Sequence, residues 1–354
     1  MNSTPQLIID TDMSLDDMMA ILYLLNRQDI EIIGITVAGS GVCHGLQGAK
    51  NALTLLHLAG KGAAGIPVVR GDEQPMDGFH SFPEPWRASA DMLYGASLPD
   101  SSEQVSDQPA VELLVSLLTQ SIRPVTILCI APLTNIAELL EKEPSIHSKI
   151  ERLVIMAGAL RVKGDVVVPG FTDYLKNEVT DWNTYVDPLA AQKVFRSGVP
   201  ITLTPLDATN KLPLTQDFAT LFREKARSPE AKFLDAVFER EMDFIKAGIY
   251  YFWDPLAASA IVDRDILQFQ RRKLDVIVQY SDDGLAENAN GFSLTRKDGK
   301  PRQAFDLYVS GQIVESEVGQ WVEVCTDVDT DTFYQRFIQV INREYQIAKH
   351  IDLQ

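Results

Sequence analysis

Three cysteines, Cys43, Cys129 and Cys325, are all the chain has, and they are far apart and odd in number. That excludes a disulfide framework, and no CxxC pair offers a zinc spacing, so a reducing compartment fits best. Basic residues are outnumbered, 32 against 49 acidic ones, which leaves a net charge of -17. Such a field repels nucleic-acid backbones and anionic membrane surfaces, so neither is an expected partner. It favours a neutral or cationic ligand, or a bound metal ion. No uninterrupted apolar run approaches the roughly 18–20 residues that span a bilayer. The start, MNSTPQLIID, has no basic region followed by a long apolar one. A cytoplasmic protein is the expectation. Repeats, low-complexity tracts and clear linkers are also missing, so residues 1–354 are read as one domain. With 45% apolar residues, a chain of this length can bury a substantial core.

What is present is an alternation. Short apolar, β-branched runs at 7–10, 30–39, 66–71, 125–131 and 150–158 read as strands. Between them, 16–27, 48–60, 110–121 and 133–142 carry helical spacing. This rhythm predicts an α/β fold: a mostly parallel, doubly wound sheet with helices on both faces. The tail adds strand-like runs at 273–280 and 320–328 and a final helix at 331–348. Residues 72–109 are polar and dotted with proline, and a loop that long in a compact domain is often a lid or binding loop. Sites in such sheets lie beyond the carboxyl ends of the strands.

There, at the end of the first strand, stands DTDMSLDD (10–17), with four aspartates in eight positions. Ser14 followed by Asp17 fits a helix start, and acids suit a helix N-terminus. That accounts for Asp16 and Asp17 but not for Asp10 and Asp12. Two chemistries compete for the cluster. An Asp-x-Asp after a first strand can serve Mg²⁺-dependent phosphoryl transfer. Four crowded acids can instead hold a hard cation, which offsets their repulsion.

Later segments bear on the choice. APLTNIAELL (131–140), IMAGAL (155–160), DWNTYVDPLAAQKVF (181–195) and FWDPLAASAIV (252–262) follow in order. Together with the opening motif, they resemble the inosine/uridine-preferring nucleoside hydrolase family over about residues 7–262. The resemblance implies Ca²⁺-dependent hydrolysis of the N-glycosidic bond of a ribonucleoside, giving ribose and a free base. It implies that Asp12, Asp17, Asp254 and the carbonyl of Ile130 hold Ca²⁺, with Asp12 also the general base toward a metal-bound water. Asp16, Asn177, Asp181 and Asn183 would bind the ribose, and Asp10 would support the cluster from behind. The partner would be a small-molecule nucleoside, and the assembly a homodimer or homotetramer.

The sequence also departs from that pattern. Met13-Ser14 replaces proline-glycine, Ser40 replaces an asparagine, and Asp181 replaces a glutamate. Trp253 stands where many members have a histidine that protonates the leaving base. A tryptophan cannot give a proton that way, but it can stack on the base. His80, His44 and Tyr250 are the candidate replacements for the acid. Asp187 and Asp254 both open a DPLAA motif, and for Asp187 a helix N-cap explains everything. The alternative to an enzyme is a nucleoside- or ribose-binding protein that kept the metal site without turnover.

Overall fold

The computed structural model describes residues 4–99, 101, 103–281 and 291–346. Its nine strands are β1 (Gln6–Thr11), β2 (Glu31–Val37), β3 (Val68–Arg70), β4 (Val125–Ile130), β5 (Ile150–Met156), β6 (Ile201–Thr204), β7 (Leu267–Val276), β8 (Ile313–Glu315) and β9 (Gln320–Val328). They form one sheet in the order β3-β2-β1-β4-β5-β6-β9-β7-β8. Pairing is parallel from β3 through to β9. The β7 strand runs antiparallel to both β9 and β8. The tail therefore extends the same sheet instead of forming a separate layer.

Alternation along β1 shows why helices cover both faces. Leu7 and Ile9 point into one hydrophobic core and Ile8 into the other, and all three are fully buried. Each such burial contributes about 1.5–3 kcal/mol. The first core takes the helices Leu15–Leu25, Gly45–Leu58, Trp253–Val262 and Thr330–Ile341. The second takes Ala110–Gln120, Thr134–Lys142 and Pro188–Phe195. The chain leaves β1 toward β2 and β3, then returns to place β4 on the other side of β1. That reversal opens a crevice beyond Thr11 and Ile130, which face each other in register.

Three expectations shift. The tail strand expected at 273–280 lies at Leu267–Val276, because its ladder with β9 starts at Leu267 and Val328. The expected loop at 72–109 contains a helix, Glu84–Asp91, and a single tight turn, Leu93–Gly95. Proline at 85 sits in that helix's first turn, where a missing N–H costs nothing. The expected final helix at 331–348 is found at Thr330–Ile341 and ends before Arg343, whose φ of 60° is left-handed; its last two expected positions, 347 and 348, lie outside the described residues. Among the described residues, no helix is long and apolar enough to cross a membrane.

Candidate active site

A cavity of about 460 Å³ opens in this crevice. Its floor is the DTDMSLDD turn. Thr11 ends β1, and the chain reverses at Met13, whose φ of 61° is left-handed. Ser14 takes the extended N-cap position, φ -68° and ψ 178°, so the residue in the expected glycine place needs no left-handed freedom. The turn is closed by hydrogen bonds. Met13 N–H donates to Thr11 Oγ1 at 3.0 Å, Asp12 N–H to Asp17 Oδ1 at 3.0 Å, and Ser14 N–H to Asp17 Oδ2 at 3.1 Å. Left-handed backbone costs an ordinary residue roughly 1–2 kcal/mol, but the Met13 side chain is wholly buried, which is worth about 2–5 kcal/mol against truncation. Met13→Gly should therefore lower stability by roughly 1–3 kcal/mol despite relieving the backbone. Urea unfolding of the two proteins measures this, and a more stable glycine variant would contradict it.

Asp12 is clamped by the loop after β2. Val42 N–H donates to its Oδ2 at 3.0 Å and Cys43 N–H to its carbonyl at 2.9 Å. Gly41 makes the approach possible: a Cβ there would lie 2.2 Å from the Asp12 Cβ. Ser40, in the expected asparagine place, is buried and shares a 2.9 Å hydrogen bond with Thr134 Oγ1.

Two helix N-termini meet over this floor. Asp16 and Asp17 lie in the first turn of Leu15–Leu25, and Asp254 in the first turn of Trp253–Val262. One oxygen from each of the three buried carboxylates lies within 4.8 Å of the others. Asp12 lies outside this trio but close enough to feel it. Burial and then the Asp17 charge raise the Asp12 carboxyl well above the usual range. Burial and then Asp17 push Asp16 up to about 7, and burial with Asp16 and Asp17 raises Asp254. Six aspartates and Glu241 line the cavity, and no lysine, arginine or histidine does among the described residues. Acids this crowded, with only oxygen donors offered and no basic partner, fit a hard divalent cation. Ile130, closing β4, lines the same space.

The twin DPLAA motifs separate here. Asp187 is the N-cap of Pro188–Phe195, accepting from Ala190 N–H at 3.0 Å. Its other oxygen accepts from Met76 N–H and Thr134 Oγ1, so it also ties the 72–109 segment to the starts of two helices, Thr134–Lys142 and Pro188–Phe195. Asp254 is not a cap. Its helix begins one residue earlier, with Phe252 in the cap position, and that leaves its carboxylate facing Asp16 and Asp17.

The other expected residues divide. Asn183 is buried and lines the cavity, with Nδ2 donating to the Met156 carbonyl at 3.1 Å. Asp181 also lines it, but its carboxylate accepts from Gly158 N–H at 2.6 Å, Asn183 N–H at 2.8 Å and Thr184 Oγ1. It caps the helix Trp182–Val186 and holds the end of β5, which makes it a brace for the wall. Asn177 does not reach the cavity. Its Nδ2 is held by the Ser310 carbonyl at 2.9 Å and its Oδ1 by Val179 N–H. His80 does not reach it either. It is buried with Nδ1 2.7 Å from the Tyr185 carbonyl, and its ring stacks on Tyr185. Burial lowers His80 to about 4, so it stays neutral there. His44 pairs with Asp91 at 2.7 Å, away from the cavity. Asp10 supports β1 from behind, accepting from Thr36 Oγ1 at 2.6 Å and Asn135 Nδ2 at 2.7 Å.

Away from the aspartates the wall is aromatic. Phe82 stacks on Trp182 at 4.8 Å, Trp86 meets Trp182 and Phe244 edge-on, and Phe171 stacks on Phe244 at 4.5 Å. Trp253 packs 5.1 Å from Tyr250, and its buried indole N–H has no partner among the described residues. Tyr94 sits on a turn where it and Leu93 both have positive φ, 56° and 51°. Its phenolic oxygen accepts from Leu15 N–H at 3.0 Å, satisfying a helix-end donor and binding the 84–95 segment to the aspartate floor. Asp165 lines the cavity as well, with a buried Oδ1 that lacks a partner among the described residues. Pattern reading overlooked Asp165, Tyr94, Trp86 and Glu241. For Trp86 a signal was visible, an aromatic amid the prolines of FPEPW in a long loop.

Comparison with known proteins agrees with this architecture. A family model described as inosine-uridine preferring nucleoside hydrolase matches residues 7–335. Uridine nucleosidase 1 of Arabidopsis thaliana is 31% identical over 284 residues, covering 77% of this chain and 79% of the relative. The pyrimidine-specific ribonucleoside hydrolase RihA of Salmonella paratyphi B is 30% identical, covering 77% of this chain and 84% of the relative. Among solved structures, an inosine-uridine preferring nucleoside hydrolase from Bacillus anthracis shares the fold with a TM-score of 0.75 at 24% identity, over 96% of this chain and 100% of that one. A purine-preferring ribonucleoside hydrolase from Gardnerella vaginalis does so with a TM-score of 0.69 at 24% identity, over 96% of this chain and 99% of that one.

Proposed function

The chain belongs to the inosine-uridine preferring nucleoside hydrolase family, and from that premise we propose that it cleaves ribonucleosides with Ca²⁺ and with Asp12 as the general base. It is an enzyme acting on N-glycosyl bonds, as its family is. The observation that carries the finer reading is the trio Asp16, Asp17 and Asp254 in an acid-lined cavity without a basic side chain. These three, with the Ile130 carbonyl, would hold the ion, and Asp16 would also reach a ribose hydroxyl. Bound there, a divalent cation supplies a fixed positive charge that acidifies water and orients the sugar diol.

The rest falls to the chain's own residues. Asp12 keeps one oxygen on Val42 N–H and has the other to take a proton from the attacking water. As the C1′–N bond breaks, the ribose ring becomes cation-like. The negative cavity stabilises that charge, and the Asn183 amide fixes the sugar's position. The aromatic wall offers the departing base a stacking surface, with Trp253 and its free N–H beside it.

Purified protein with Ca²⁺ should release reducing sugar from at least one of uridine, cytidine, inosine, adenosine and guanosine. It should also release it from p-nitrophenyl riboside, whose leaving group needs no acid. Stoichiometric Ca²⁺ binding with no turnover of any substrate would replace this reading with that of a binding protein.

A further inference from the structure

With His80 and His44 held elsewhere, no histidine faces the base end of the cavity among the described residues. Outside the floor, the titratable groups that line it are Asp165, Asp181, Glu241, Tyr94 and Tyr250; the Asp181 carboxylate is taken by Gly158, Asn183 and Thr184, and Asp165 is held beside it, its backbone bonded to Thr180 and Trp182. Glu241 sits at the break between the helices Pro229–Arg240 and Met242–Lys246. Three residues on, Phe244 lines the same cavity and stacks on Phe171, so one helical turn presents an aromatic ring and a carboxyl side by side. Glu241 shares the cavity with both phenols, Tyr94 and Tyr250, and its charge helps to raise each of them. Tyr94 ties into the floor directly, its phenolic oxygen accepting from Leu15 N–H at 3.0 Å.

We propose that Glu241 is the acid that protonates the leaving base, taking the place of the missing histidine. This rests on the nucleoside-cleaving reading above. The Glu241 carboxyl gives its proton to a ring nitrogen or carbonyl oxygen of the base as the C1′–N bond breaks and its electron pair passes to the base. Water forms the new C1′–O bond and loses its proton to Asp12. The products are ribose and neutral base, and exchange with solvent resets both carboxyls. A half-buried acid in an aromatic wall suits the task. Burial, with Asp243 nearby, raises Glu241 above the usual carboxyl range and keeps more of it protonated near neutral pH. Tyr94 and Tyr250 are pushed far up by burial, and neither gives up its proton as readily.

The test compares two leaving groups on one enzyme. In Glu241→Gln, kcat for the natural nucleoside should fall by about 10²–10³-fold, while the rate on p-nitrophenyl riboside falls far less. The ratio of the two rates should then shift by roughly two decades or more, with KM little changed. Glu241→Asp keeps the proton, one methylene further back, and should recover part of the ratio; thermal unfolding of both variants confirms that they fold. A purely structural Glu241 would lower both rates together and leave the ratio unmoved, overturning the proposal, as would an unchanged nucleoside rate in Glu241→Gln. If the wild type cleaves neither substrate, the functional reading itself fails, and this one falls with it.

Discussion

Asp12→Asn should lower kcat for nucleoside hydrolysis by about 10²–10⁴-fold while the protein folds normally. The substitution is nearly isosteric. The amide oxygen can still accept from Val42 N–H, so the loop that Gly41 brings against residue 12 stays in place. What disappears is an atom that can take a proton from water. One negative charge also leaves a site where Asp12 is raised by burial and by Asp17, so the ion-free variant should melt no lower than wild type. Steady-state kinetics and a melting curve decide it. Retention of more than roughly a tenth of the activity would remove Asp12 from the role of base.

Stripping divalent ions should abolish activity, and it should also invert the pH dependence of stability. Asp16 has its carboxyl raised to about 7 by burial and then by Asp17, against an ordinary value of 3.8. A group whose folded value is raised holds its proton more tightly when folded. Its contribution is full below the unfolded value and is lost as pH rises through the folded one. In a chelator, then, wild type should lose stability relative to Asp16→Asn as pH climbs from about 4 to about 7. Ca²⁺ binds only deprotonated carboxylates, so its stabilising effect should grow across the same window. Ion at a hundred times its dissociation constant should add about 2.7 kcal/mol. Melting temperatures of both proteins from pH 4 to 8, with and without Ca²⁺, test this. A chelated enzyme that still turns over, or Ca²⁺ that leaves the melting temperature unmoved at pH 8, would refute the ion site.

The sheet was readable because its strands announce themselves locally. The residues of β1, β2, β4 and β5 are apolar and β-branched, and each stands next to a helix with clear spacing. The helix at Glu84–Asp91 was hidden by Pro83 and Pro85 at its start, which read as loop although a helix tolerates proline there. The aspartate trio was legible in part. Asp17 and Asp254 come from recognisable motifs, but only geometry sets Asp16 with them and leaves Asp12 to one side. Nothing local distinguishes the two DPLAA motifs. The difference is two residues of helix start, after the aspartate at Pro188 but before it at Trp253, where Phe252, buried in the core, takes the cap position. Asp181 shows the opposite limit: a carboxylate in the expected place whose hydrogen bonds are already taken by Gly158, Asn183 and Thr184. Glu241 and Tyr94 belong to no motif, and only the folded chain brings them together.

The trio joins Asp16 and Asp17 to Asp254 across most of the chain. A ribosome delivers the first two early and the third only after more than two hundred further residues. No nascent fragment ending before Asp254 possesses the complete constellation, which forms only when the late helix has docked against the first one. Any breakage that frees Trp253–Val262 from the sheet would take the trio apart even with every other wall residue in place.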